Sequence, residues 1–143
     1  MFVDSHCHLS FPELHGRIDA IRDEMAAADV DRALVICTTL EEFDTVHALA
    51  LRHDNFWATV GVHPDYPDIA EPDVATLVRL AQHPRVRAIG ETGLDYYRLT
   101  GDLDWQRERF RVHIRAARAV QMPLVIHTRQ ASADTLRIMV EEG

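Results

Sequence analysis

The chain has 143 residues, 47% hydrophobic and 27% charged, with a formal net charge of −8. That suits one ordinary globular domain over residues 1–143 and excludes a protein that coats duplex DNA with a basic face. It does not exclude an enzyme that takes one strand end or one phosphate at a time, because bound cations bring their own positive charge. No apolar run approaches the ~20 residues needed to cross a bilayer, so no membrane association is expected. No basic segment followed by an apolar stretch opens the chain. With only Cys7 and Cys37 present, the expectation is free thiols in a reducing compartment, the cytoplasm.

Phe2 and Val3 open a short strand that runs out at Asp4-Ser5-His6-Cys7-His8. Side chains alternate on a strand, so His6 and His8 share one side and Cys7 takes the other. Leu9 to Pro12 is a turn. Ile18, Ile21, Met25 and Ala28 then recur at helical spacing over 17–29. Arg32 to Cys37 is a continuous apolar run, the pattern of a strand buried on both faces. A second helix spans 41–53, and Phe56 to Val62 is a third strand closed by His63-Pro64-Asp65. Glu71-Pro72-Asp73 starts a helix with Val74, Leu77, Leu80 and Ala81 as its stripe. Val86 to Gly90 is a fourth strand and delivers Glu91. After a glycine-bounded loop, 104–120 form the longest helix, with Trp105, Phe110, Ile114 and Ala117 on one side. Met122 to Ile126 is a fifth strand that delivers His127, and 131–142 form a last helix. Five strand–helix repeats predict a parallel sheet with helices outside it.

The polar residues fall at one end of these strands: His6 and His8 after the first, His63 after the third, Glu91 after the fourth, His127 after the fifth. In parallel α/β folds that end holds the active site. Imidazoles and a carboxylate there suit divalent transition metals. His63, held by Pro64, is expected to touch substrate or phosphate. Arg129, two residues beyond His127, offers a fork of donors for phosphate or carboxylate. Asp95 is expected either to orient a ligand or to cap its own backbone turn. Asp4 is expected to hold a ring N–H of a ligating histidine. His15, His47, His53, His83 and His113 lie on helices or their flanks and read as solvated or packing residues.

Four motifs in this order resemble the TatD-type metal-dependent deoxyribonucleases of the amidohydrolase-like TIM barrels. They are Asp4-Ser5-His6-Cys7-His8, Gly61-Val62-His63-Pro64, Gly90-Glu91-Thr92-Gly93-Leu94-Asp95-Tyr96-Tyr97, and Pro123-Leu124-Val125-Ile126-His127-Thr128-Arg129. The resemblance implies a (β/α)8 fold and two divalent metal ions, such as Zn, Mg or Mn. His6 and His8 match ligands of one metal, Glu91 the bridging and catalytic carboxylate, and His127 a ligand of the second metal. It implies a deoxyribonuclease that trims single-stranded DNA ends from the 3′ side with metal-activated water. Fold and metal site serve many chemistries. A metal-dependent amidohydrolase or esterase, such as a D-aminoacyl-tRNA deacylase, and an inactive half-barrel are therefore alternatives.

The family barrel has eight strands, and five are expected here. A later histidine and a later aspartate of the family site have no counterpart before Gly143. The first and fifth strands are then open edges, which predicts self-association through them. Val35, Val60, Ile89 and Val125 are expected to line the inner face of the sheet.

Overall fold

The computed structural model describes residues 1–143. Its strands are β1 (Phe2–Cys7), β2 (Val30–Val35), β3 (Phe56–Val60), β4 (Val86–Asp95) and β5 (Leu124–Arg129). They form one parallel sheet in the order β1-β2-β3-β4-β5. The helices are α1 (Pro12–His15), α2 (Ile18–Ala27), α3 (Phe43–Arg52), α4 (Val74–Ala81), α5 (Asp104–Val120) and α6 (Ser132–Glu142). The sheet curls into about half of a barrel, with β1 and β5 as its edges.

Local chemistry sets the helix limits. The Asp73 side chain accepts a hydrogen bond from the Thr76 N–H at 2.6 Å, so α4 begins at Val74, three residues later than the sequence suggests. Glu71 and Pro72 stay outside the helix. Gln121 ends α5 in the left-handed conformation at φ 56°.

The core lies between the sheet and the outer helices. Phe56, Ala58 and Val60 of β3 and Ala33 and Val35 of β2 meet Phe43, Val46, Leu49 and Leu77 there. This corrects the expected inner-face lining. Val35, Val60 and Ile89 are fully buried in the helix-facing layer, whereas Val125, half-buried between Leu124 and Ile126 that pack on the helix side, keeps the expected face. Leu34 and Trp57, paired across β2 and β3, take the other face and stay half-buried. On β2, β3 and β4 the alternation was assigned in the wrong phase, and a shift of one position exchanges the two faces of a strand. The Trp57 ring is backed by the guanidinium groups of Arg32 at 5.6 Å and Arg85 at 5.2 Å.

Two strands run further than their apolar stretches. β4 continues past Glu91 to Asp95, and β5 continues past His127 to Arg129. His6, Glu91 and His127 therefore lie within strands instead of beyond them, and regular backbone fixes where they point. Gly61 allows β3 and β4 to converge here. A Cβ on it would stand 2.5 Å from the Gly90 Cα.

Candidate metal centre

Glu91 is 6% exposed and stands among imidazoles. Its Oε2 lies 3.2 Å from His6 Nε2 and 3.8 Å from His8 Nε2. Its Oε1 lies 3.4 Å from His127 Nδ1 and 3.8 Å from His63 Nε2. One carboxylate thus presents each oxygen to a different histidine pair. The His6–His8–Glu91 and His63–Glu91–His127 groups each bring their ligand atoms within 4.8 Å of one another. The donor chemistry fits a divalent cation. Ligands at ~2.0–2.2 Å in tetrahedral array stand roughly 3.3–3.6 Å from one another, and the spans above bracket that value.

The ring nitrogens divide the work. His127 Nε2 lies 2.9 Å from Asp95 Oδ2, so an N–H there leaves the Nδ1 lone pair facing Glu91. The other oxygen of Asp95 accepts from the Tyr97 N–H at 2.9 Å and the Arg98 N–H at 2.8 Å. Asp95 therefore caps its own turn and also meets the His127 ring. His63 is the reverse case. Its Nδ1 accepts from the Asp65 N–H at 3.2 Å, which places the ring proton on Nε2, 3.2 Å from His127 Nδ1. That tautomer makes His63 Nε2 a hydrogen-bond donor and not a ligand.

Electrostatics follow this arrangement. Burial opposes ionisation of Glu91, yet the His127 hydrogen bond and the His63, His6 and His127 charges outweigh it and hold the carboxyl below its ordinary value. When His127 is protonated on both nitrogens its Nδ1–H donates to Glu91 and its Nε2–H to Asp95, and these bonds raise its pKa. Burial lowers His63 to about 4, against the pull of Glu91. Burial also lowers His8. The site thus favours a carboxylate at Glu91 and neutral rings at His63 and His8, and metal ligation requires deprotonated donors of this kind.

Asp4 behaves otherwise than expected. Its carboxylate accepts from the backbone N–H of His6 at 3.0 Å, not from a ring. The carboxylate is engaged by that local backbone N–H, as short acidic side chains commonly are. Arg129 reaches the cleft bounded by His8, Phe11, His63, Glu91 and His127, where Arg98 and Tyr66 also stand. His15 and His53 lie away from this cleft. His47 stacks on Phe43 and contacts the Pro84 carbonyl.

One set of supporting residues escaped the sequence reading. Gln106, Arg109 and His113 are buried along one face of α5. Gln106 donates to the Pro64 carbonyl at 3.2 Å and accepts from the Asp95 N–H at 2.9 Å. Arg109 donates to the His63 and Tyr66 carbonyls at 3.0 and 2.8 Å and pairs with Glu71. His113 Nε2 accepts from the Val62 N–H at 2.9 Å, with Nδ1 2.8 Å from the Arg109 carbonyl. The helix thereby clamps the segments that carry His63 and Asp95. Apolar spacing finds Phe110 and Ile114 but is blind to buried polar residues. The signal available was three hydrogen-bonding side chains at i, i+3 and i+7.

Burial holds His113 neutral, with its pKa lowered to about 4. The unfolded chain binds this proton near pH 6.5 and the native chain does not, so stability falls as pH drops from about 6.5 to 4. A shift of that size corresponds to about 3 kcal/mol over the window. Urea unfolding between pH 7 and pH 4 measures it. His113→Gln, which hydrogen-bonds without titrating, is expected to flatten the slope.

A parallel β/α half-barrel with a histidine–carboxylate cluster at the C-terminal edge of its strands is the architecture of TIM-barrel metal hydrolases. The family model described as TatD related DNase matches residues 3–143, and the chain belongs to that family. It is 42% identical over 144 residues to an uncharacterized metal-dependent hydrolase, YcfH, of Escherichia coli K12, covering 98% of this chain and 54% of that protein. It is 39% identical over 128 residues to the 3′-5′ ssDNA/RNA exonuclease TatD of Cronobacter turicensis, covering 86% of this chain and 49% of that one. The crystal structure of the TatD homolog YjjV from Escherichia coli K12 superposes with a TM-score of 0.89 at 27% identity, covering 99% of this chain and 56% of that chain. The chain spans about half the length of the curated relatives it matches. No helix is long and apolar enough to cross a membrane.

Proposed function

We propose that residues 1–143 form the N-terminal part of a (β/α)8 barrel that hydrolyses phosphodiesters at single-stranded nucleic-acid ends with two divalent cations. The carrying observation is the Glu91 carboxylate, with each oxygen facing a separate pair of imidazoles. In this reading His6, His8 and Glu91 Oε2 would hold one cation, and Glu91 Oε1 and His127 Nδ1 the other. Such cations would supply Lewis acidity, lowering the pKa of water and offsetting phosphate charge.

The protein's own groups do the rest. Asp95 fixes the His127 ring so that its Nδ1 lone pair stays on the site. When that lone pair is taken, the His63 Nε2–H loses its present acceptor and becomes free to donate to a phosphate oxygen. Arg129 puts an unpaired guanidinium on the cleft, beside Arg98, which is paired with Asp65 at 3.2 Å. The Arg129 charge favours an anionic diester over the neutral ester or amide of an amidohydrolase. The Cronobacter relative, named an exonuclease on ssDNA and RNA, points the same way. The open edges β1 and β5, with Phe2 and Val3 exposed on β1, fit a sheet that belongs to a larger barrel.

The test is incubation of the purified complete barrel with Mn²⁺ and a 5′-labelled single-stranded oligodeoxynucleotide, alongside a D-aminoacyl ester. Stepwise shortening of the strand, abolished by EDTA, is the expected result. Cleavage of the ester with an intact strand would overturn the assignment.

A further inference from the structure

The strongest unassigned feature lies at the rim of the cleft. The Arg129 guanidinium stacks on the Tyr97 ring at 4.1 Å from its centroid, and Tyr97 is 58% exposed. Four other arginine–aromatic contacts exist, at 4.7 to 5.6 Å. In each of those the arginine also holds an oxygen: Arg109 on Glu71, Arg107 on Asp134, Arg32 on Asp31 and Arg85 on the Asp54 carbonyl. Arg129 has the closest stack, and its guanidinium makes neither ion pair nor hydrogen bond within the protein. Its charge is uncommitted in a chain of net charge −8.

The stack is anchored to the metal centre. Arg129 pairs with Asp95 across β4 and β5. The Asp95 carboxylate caps the Tyr97 N–H with one oxygen and meets His127 with the other. Asp95 therefore sits between the stack and the metal centre, its side chain holding the Tyr97 turn and His127 and its backbone in register with Arg129. Two residues of strand, about 7 Å, separate Arg129 from His127.

We propose that the Tyr97–Arg129 stack seats one nucleobase of a single-stranded nucleic acid whose backbone enters the Glu91 cleft. A guanidinium alone would accept any anion. An exposed π face beside it adds a preference for a flat aromatic group, and base and phosphate together define a nucleotide. Such stacking tolerates any sequence because every base has a π face. The inference rests on the function proposed above and adds to it the place where a base is held.

The probe is a fluorescein-labelled phosphorothioate strand of four thymidines, compared with the same backbone lacking bases, each titrated into the Mn²⁺-loaded protein by fluorescence anisotropy. The abasic strand is expected to bind about tenfold more weakly. Tyr97→Leu is expected to erase that difference, and Tyr97→Phe to keep it. Melting temperature and Mn²⁺ content check that Tyr97→Leu retains its fold, which its exposed side chain favours. Undiminished base discrimination in folded Tyr97→Leu would overturn the seat. Cleavage of ordinary phosphodiester strands separates this from the parent reading. Base-selective binding without cleavage supports the seat and overturns the hydrolase. Cleavage with equal affinity for both strands overturns the seat alone.

Discussion

Glu91→Ala is expected to abolish metal-dependent hydrolysis, lowering kcat/KM at least about 10³-fold, some 4 kcal/mol of transition-state stabilisation. The carboxylate is the one group that contacts both histidine pairs. Its removal takes a donor from each proposed cation and leaves their mutual repulsion uncompensated. Metal content measured after dialysis is expected to fall together with activity. Glu91→Gln separates charge from shape, because it keeps the volume and loses the anion. A second readout needs no metal. The hydrogen bond to Glu91 is the largest cause raising His127, so the His127 titration followed by NMR is expected to move down in either variant. Full activity with normal metal content in Glu91→Ala would remove the carboxylate from the site.

Gly93→Ala is expected to be as damaging although it deletes no functional group. Gly93 pairs with His127 across β4 and β5 and has φ 137°, a conformation L side chains rarely adopt. A Cβ there would stand 2.0 Å from the His127 carbonyl oxygen. The backbone conformation costs about 1–3 kcal/mol for a non-glycine residue, and forcing two strands apart adds about as much. A loss of roughly 3 kcal/mol or more in urea unfolding is expected. Because the displaced strands carry Glu91, Asp95 and His127, metal affinity should fall too. A Gly93→Ala protein with unchanged stability would show that β4 and β5 can separate freely at this point.

The order of elements was legible because five apolar runs alternate with helical stripes, and each run is bounded by turn chemistry. The histidine–carboxylate cluster was legible because its members fall at corresponding places on or just after β1, β3, β4 and β5. What the sequence hid has specific causes. The strands carrying Glu91 and His127 run on through polar residues, which a reading based on apolar length cannot follow. The phase of Val35, Val60 and Ile89 was reversed because a strand buried on both faces shows no alternation from which to choose a side. Asp4 and Asp95 were both candidates to hold a histidine ring. Only the register between β4 and β5 distinguishes Asp95, by bringing it to His127. The α5 clamp was hidden because Gln106, Arg109 and His113 look like a solvated helix face until the loops they grip are seen.

The most direct test of the account is anomalous scattering from crystals of the protein grown with Mn²⁺. Two peaks are predicted, one among His6, His8 and Glu91 Oε2, the other between Glu91 Oε1 and His127 Nδ1, with the His63 ring outside the coordination sphere. Crystals in which Mn²⁺ binds elsewhere, or in which no peak lies against either oxygen of Glu91, would contradict it.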